Sequence, residues 1–541
     1  MGETSSRGWP TGIAPHHRAF HEAGLWPQRT VADHAEALAQ ERGGDLCLID
    51  GVGTLTFAEV WRDAGALAAG LRGRGLKPGD VVAFQLPNWR EAAVLNIAAA
   101  LSGLVVNPIV PIYRDAELRA MLGDCGARAL FVPAAFRTVD YPAMARRVAA
   151  DLPALDHIFT VRGAGVDDYA ALLAQGAHLP DARSQVDPTG VKLVLYTSGT
   201  TGRAKGVLHS HATLGRVIVQ SAAYWGVVSG EAVLMPSPVT HVSGYANGLE
   251  MPFFSGTCSV LMESWDAGEA IALINRHGVV GTVAATPFLV ELAEAARAAG
   301  DRLPSLRFFA CGGAAVAPEV IVTARGAFAQ CAPFRVFGSS EVPLVSFGWP
   351  DDAALAATTD GRIVDYAVRI VDGDGRDLPP GSEGEIVARG PAMMIGYADP
   401  AQTAEAIDAQ GYFRTGDLGV VSADGAITVT GRKKDLIIRG GENISAGEIE
   451  AVLLTHPLVA DCAVVAMPHP RLGEGVCAYV VLRDAVDPAA LGAHVAAAGL
   501  AKQKIPERFV TAETLPRTPS GKIRKDVLRS EIAERIRREA A

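Results

Sequence analysis

Donor groups are densest in Leu195-Tyr196-Thr197-Ser198-Gly199-Thr200-Thr201-Gly202-Arg203-Ala204-Lys205-Gly206, where a β-branched run breaks into glycines, hydroxyls and one lysine. Glycines let successive backbone N–H groups turn inward as a nest for an anion. Thr197, Ser198, Thr200 and Thr201 add rotatable O–H donors, and Lys205 adds a point charge. The chemistry such a loop can do is to hold phosphate. The Walker loop of nucleotide hydrolases is a different solution, because it ends in Gly-Lys-Ser/Thr. Here Gly202 is followed by Arg203-Ala204-Lys205-Gly206, so the spacing fails. The competing reading is a solvated turn rich in Ser and Thr, which has no need of a lysine among so many hydroxyls.

Later segments carry further polar chemistry in a fixed order: Phe337-Gly338-Ser339-Ser340-Glu341, then Phe413-Arg414-Thr415-Gly416-Asp417, then Gly431-Arg432-Lys433-Lys434-Asp435, and finally Leu515-Pro516-Arg517-Thr518-Pro519-Ser520-Gly521-Lys522. With residues 196–206 this series resembles the adenylate-forming enzymes, the superfamily of acyl-CoA synthetases, peptide-synthetase adenylation domains and luciferases. The resemblance implies that Thr197, Ser198, Gly199, Thr200, Thr201, Gly202 and Lys205 close over the β- and γ-phosphates of ATP. It implies Glu341 as the Mg²⁺ ligand, a hard-ion role that suits a carboxylate. Ser340 stands where the family usually has Thr, and the hydroxyl survives. Phe337, Gly338 and Ser339, with Gly312, Gly313 and Ala314, would form the slot for adenine, although Phe337 taken alone reads as a core residue. Asp417 would accept the ribose hydroxyls, as a carboxylate can, and Arg432 would meet ribose and phosphate. Lys522 would bridge the carboxylate and the α-phosphate, as a catalytic residue beside Glu341 and Arg432.

The same resemblance makes Lys434 the hinge of a small C-terminal domain. It also makes Gly440, Gly441 and Glu442 the wall of a tunnel for the pantetheine arm of coenzyme A. The acyl pocket is expected from His241, Val242, Tyr245, Asn247, Phe288, Val336 and Val342. Residues 240–248 hold no Asp, Glu, Lys or Arg. Relatives that activate amino acids place an Asp there, so an uncharged acyl tail is expected. His241 alone could equally be a satisfied core histidine. The implied activity converts a short- or medium-chain or alicyclic acid to acyl-AMP and then to acyl-CoA. Transfer to a carrier protein is the rival within the family, and an inactive nucleotide-binding scaffold is the rival outside it.

These residues need elements to hold them. Short β-rich runs at 81–86, 129–132, 157–161, 191–197, 232–235, 258–261, 279–284 and 307–310 alternate with helical patterns. That rhythm predicts mostly parallel sheets covered by helices, with ligands beyond the carboxyl ends of the strands. The apolar stretch 92–106 reads as a buried helix running into a strand, being shorter than the roughly 20 residues of a membrane span. After about residue 360, Asp372-Gly373-Asp374-Gly375 and Asp424-Gly425 signal hairpins. The expected class is therefore α/β: a large domain over 1–432 with a barrel-like antiparallel subdomain at 360–430, and a small mobile α+β domain over 433–541.

A chain of 541 residues exceeds what one core usually serves. Its net charge of −10 argues against a general nucleic-acid binder. Seven scattered cysteines, never spaced Cys-x-x-Cys, read as reduced thiols of a cytoplasmic protein. The partners expected are a small carboxylic acid and CoA, with no stable membrane anchor, in a protein that could pair as a homodimer.

Overall fold

The computed structural model describes residues 8–198, 204–313, 316–439, 442–518 and 521–540. The buried helix Arg90–Ser102 shows how local pattern becomes architecture. From Ala92 to Leu101 every side chain is enclosed, and Gly103 ends the helix in the left-handed conformation at φ 69°. The chain then enters the strand Val105–Pro108, as the sequence leads one to expect.

Two seven-stranded sheets carry the N-terminal part. One runs in the order Ala332–Val336, Phe308–Gly312, Val279–Ala284, Ala232–Met235, Cys258–Leu261, Leu46–Asp50 and Gly53–Thr56, parallel except at its last pair. The other runs Gly396–Tyr397, Ala204–Ser210, Val191–Ser198, Val105–Pro108, Val81–Phe84, Ala127–Pro133 and His157–Val161. Its first two pairings are antiparallel and the rest parallel. Helices cover these sheets, and inner strands such as Val81–Phe84 and Ala232–Met235 are buried along their length and read as continuous apolar runs.

The antiparallel subdomain is a four-stranded sheet of Ala367–Val371, Gly384–Arg389, Phe413–Val421 and Ile427–Arg432. Gly375 and Gly425 take φ 83° and 80° in its turns, which is why the Asp-Gly pairs mark them. Beyond it, Ile437–Arg439, Glu442–Ile444, Val459–His469, Gly473–Leu482 and Arg508–Thr511 form a separate sheet with the helices Ala446–Leu454, Pro488–Ala497 and Lys525–Ala540. Apolar packing divides at the same place: one cluster holds residues from Trp9 to Ile427, and two others lie between Ile437 and Ile532. Among the described residues no helix is long and apolar enough to cross a membrane.

Candidate active site

The phosphate-type loop joins two strands of one hairpin. Val191–Ser198 and Ala204–Ser210 pair antiparallel, with Thr197 opposite Lys205 and Tyr196 opposite Gly206. The hairpin therefore presents the Thr197 hydroxyl and the Lys205 ammonium side by side at the mouth of the loop. Gly199, Thr200, Thr201 and Gly202 lie outside the described residues, as does the side chain of Ser198. Glu341 faces this mouth. Its Oε1 accepts from the Tyr397 hydroxyl at 3.0 Å and from Thr197 Oγ1 at 3.5 Å.

Tyr397 escaped the sequence reading, whose only local signal for it was an aromatic following Gly396. It sits on the two-residue strand that extends the hairpin's sheet, with the Lys205 ammonium 5.0 Å from its ring centroid. Burial and the neighbouring Glu341 carboxylate push its phenol well above the usual range, so it stays a donor. Replacing Tyr397 by Phe keeps the ring beneath Lys205 and removes the O–H. The expected result is a rise of about tenfold in KM for MgATP, the scale of one hydrogen bond to a charged group, measured by pyrophosphate exchange.

The turn that carries Glu341 is internally braced. Ser339 Oγ accepts from the backbone N–H of Glu341 at 3.2 Å and of Val342 at 3.3 Å, so this hydroxyl shapes the turn. His209 Nε2 donates to the Ser340 carbonyl at 2.7 Å, and Met394 N–H donates to the Glu341 carbonyl at 2.8 Å. Burial pushes His209 down to about 4, so at neutral pH it is an uncharged imidazole with its proton on Nε2. Gly338 is required by close approach, since a Cβ there would stand 2.4 Å from the Leu344 nitrogen.

A second group of charges comes from three places in the chain. Asp417 and Arg432 are register partners on adjacent strands, and Arg432 Nε meets Asp417 Oδ1 at 2.9 Å. Asp417 is 5% exposed, and burial raises its carboxyl against the pull of Arg432, Lys522 and Lys434. Lys522 arrives from the far end of the polypeptide. Its loop is tied by Thr518, whose Oγ1 accepts from Lys522 N–H at 3.1 Å, and Gly521 adopts φ 83° where it approaches Ala285 and Pro287. The side chain lies along Gly313: a Cβ at that glycine would stand 3.3 Å from Lys522 Cε and 3.9 Å from Nζ. Burial and the Arg432 guanidinium push the ammonium down to about 8, while Asp417 and Glu341 pull it back. Glu341, Asp417, Arg432 and Lys434 thus all act on the Lys522 ammonium.

The remaining predicted residues divide. Phe337 is 7% exposed and bonds Ser346 Oγ through its N–H, so it stands at the edge of the core. Gly312 ends its strand where a Cβ would reach within 2.4 Å of the Val336 carbonyl, and Ala314 lies outside the described residues. His241, Val242 and Phe288 are partly exposed, and Val336 is buried at the end of its strand. Asn247 is almost wholly enclosed. Tyr245 and Val342 are both 0% exposed. The Tyr245 hydroxyl is committed to Asn96 Oδ1. Gly440 and Gly441 lie outside the described residues, Glu442 is exposed on its strand, and Lys434 occupies the single 3₁₀ turn Lys433–Asp435.

Thr197 and Lys205 on one hairpin, Glu341 facing them, Asp417 paired with Arg432, and Lys522 along Gly313 stand on an α/β scaffold of the adenylate-forming class. The chain belongs to the AMP-binding enzyme family: residues 35–398 match that family, and residues 448–522 match the AMP-binding enzyme C-terminal domain. It is 34% identical over 539 residues to a medium-chain fatty-acid–CoA ligase of Escherichia coli, covering 96% of this chain and 93% of that one. It is 32% identical to a salicylyl-CoA synthase/salicylate adenylyltransferase of a Streptomyces species, covering 97% of each. Among solved structures, ATP-bound MatB from Rhodopseudomonas palustris superposes with a TM-score of 0.83 at 26% identity, over 92% of this chain and 98% of that one.

Proposed function

We propose that the protein is an AMP-forming acid–CoA ligase acting on a short- or medium-chain or alicyclic carboxylate whose acyl tail is uncharged. The observation that carries this is the position of Lys522 against Gly313, inside the cleft that also holds Glu341, Asp417 and Arg432. In the first half-reaction a carboxylate oxygen attacks the α-phosphorus, the bond to the bridging oxygen breaks, and pyrophosphate leaves. Charge builds on the α-phosphate oxygens, and a preorganised ammonium in a dry site stabilises it. Lys522 serves that role while also holding the anionic nucleophile close. Asp417, fixed by Arg432, orients the ribose. Lys205 and Thr197 meet the terminal phosphates.

Glu341 fits the divalent cation that accompanies ATP. Tyr397 and Thr197 occupy one carboxylate oxygen, and among the described residues none takes the other. Mg²⁺ at that place would neutralise charge across the phosphate oxygens.

In the second half-reaction the sulfur of CoA attacks the acyl carbonyl and AMP leaves. That step needs room where Lys522 now stands. The proposal therefore includes two bodies, 1–432 and 433–541, turning about Lys434 so that the Glu442 strand replaces the Lys522 loop. A screen of straight-chain, alicyclic and aromatic acids for pyrophosphate release, with free CoA as sole acceptor, tests the reading. Acyl-CoA formed with AMP supports it. Adenylate that accumulates without thioester assigns the chain to carrier-protein loading, and no pyrophosphate with any acid removes the activity altogether.

The Lys522 ammonium gives a pH signature. It is charged below about 8 and loses its proton as pH rises through that value. The kcat/KM for ATP in pyrophosphate exchange, which reports the free enzyme, is expected to fall about tenfold per pH unit above that point. Bound ATP adds negative charge beside the ammonium, so the corresponding limb in kcat lies at higher pH. Lys522→Arg, which cannot deprotonate in this range, should abolish the limb whatever activity it retains.

A further inference from the structure

A buried charge cluster lies behind the acid segment and takes no part in the chemistry above. Lys192, on the strand that leads into the phosphate loop, pairs with Glu250, and the two are 2% and 1% exposed. Asn96, from the buried helix Arg90–Ser102, joins both: its Nδ2 donates to Glu250 Oε1 at 3.1 Å, and its Oδ1 accepts from Lys192 Nζ at 3.4 Å. The Tyr245 hydroxyl donates to the same Asn96 Oδ1, and the Lys192 ammonium stands 5.5 Å from the Tyr245 ring centroid.

Tyr245 and Glu250 are the first and last residues of one π-helical turn, Tyr245–Glu250. Such a turn is rare, is widened relative to an α-helix and recurs at functional sites. The same turn continues the acid segment without a break, because Tyr245 N–H donates to the His241 carbonyl at 2.7 Å. Burial, helped by the Lys522 ammonium, drives the His241 imidazole down to about 4. Asn247, between the pinned ends, gives its Nδ2 to the Ser243 carbonyl at 2.9 Å. A buried ion pair is poor at stabilising a fold, since apolar residues of similar volume commonly do as well, but it can specify one arrangement over others.

We propose that Lys192, Glu250, Asn96 and Tyr245 are positioning residues that hold both ends of the π-helical turn and so set the depth of the acid pocket. The inference rests on the acid-ligase reading. It adds that discrimination between acids of different length is governed by groups that never touch the acid. Lys192 stands at the root of the phosphate hairpin, so the cluster ties the π-helical turn to the strand that leads into the phosphate loop.

The test is the double variant Lys192→Met/Glu250→Leu, which replaces the charge pair by apolar groups and leaves no lone buried charge. Wild-type enzyme is expected to separate acids differing by one methylene by about tenfold in kcat/KM. In the double variant that ratio should fall below about threefold, with acid KM raised about tenfold for the best substrate and KM for ATP unchanged. A folded double variant with the wild-type acid profile would overturn the proposal, because the cluster would then serve stability alone. Should the double variant fail to fold, Tyr245→Phe keeps the ring and the ion pair and removes one hydrogen bond. It should flatten the acid profile in the same direction, and an unchanged profile there overturns the proposal as well. Wild-type enzyme inactive on every acid would sink the functional reading instead, so the two failures are distinguishable.

Discussion

Lys522→Ala is expected to slow adenylation by about 10²-fold or more, the scale for losing one preorganised charge in a water-poor site, while thioester formation from supplied acyl-AMP stays close to wild type. The geometry gives the reason. The ammonium lies along Gly313 and feels Arg432, Asp417 and Glu341, and the proposed mechanism has charge develop beside it during attack on the α-phosphorus. Its loop is anchored by Thr518 within its own domain, so truncation leaves the loop standing. Pyrophosphate exchange measures the first step, and CoA-dependent release of AMP from synthetic acyl-AMP measures the second. Equal losses in both would contradict the division of labour and point to a general defect in the cleft.

Lys434→Pro is expected to do the reverse. Lys434 sits in a single turn between the last strand of the antiparallel sheet and the first strand of the small sheet. Its carbonyl accepts from Arg529 Nη1 at 3.1 Å, and the same guanidinium atom reaches Asp435 Oδ1 at 3.1 Å. The turn is thus tied to the terminal helix, which leaves its own backbone dihedrals to absorb any rotation. Proline removes that freedom at φ. Thioester formation should fall by at least about tenfold, equivalent to ~1.4 kcal/mol of barrier, with pyrophosphate exchange retained. Unchanged overall turnover would refute the hinge.

Much of this molecule is legible without coordinates. The strands 232–235, 258–261 and 279–284 coincide with the observed elements, because a buried parallel strand is a continuous apolar run bounded by turn residues. The Asp-Gly hairpins were equally plain, since their glycines need positive φ. Ala204–Ser210 was not, because Ala204-Lys205-Gly206 has weak strand preference and the preceding turn lacks a two-residue hairpin signal. Lys205, Glu341, Asp417, Arg432 and Lys522, the side chains proposed to carry the chemistry, stand out in the sequence because each sits in a short segment marked by glycines, prolines or hydroxyls.

What the order of residues determined by itself was the set of reactive groups and the local elements that bear them, both being matters of side-chain type and short-range backbone preference. Only the tertiary structure decided which groups meet. Tyr397 braces Glu341, Lys192 pairs with Glu250, and the Tyr245 hydroxyl binds Asn96. Each contact joins segments far apart in the chain, the first between the edge strand Gly396–Tyr397 and the turn after Ala332–Val336, the others around helix Arg90–Ser102 and the turn beside it. No local pattern encodes that choice, because it follows from burying every apolar face at once.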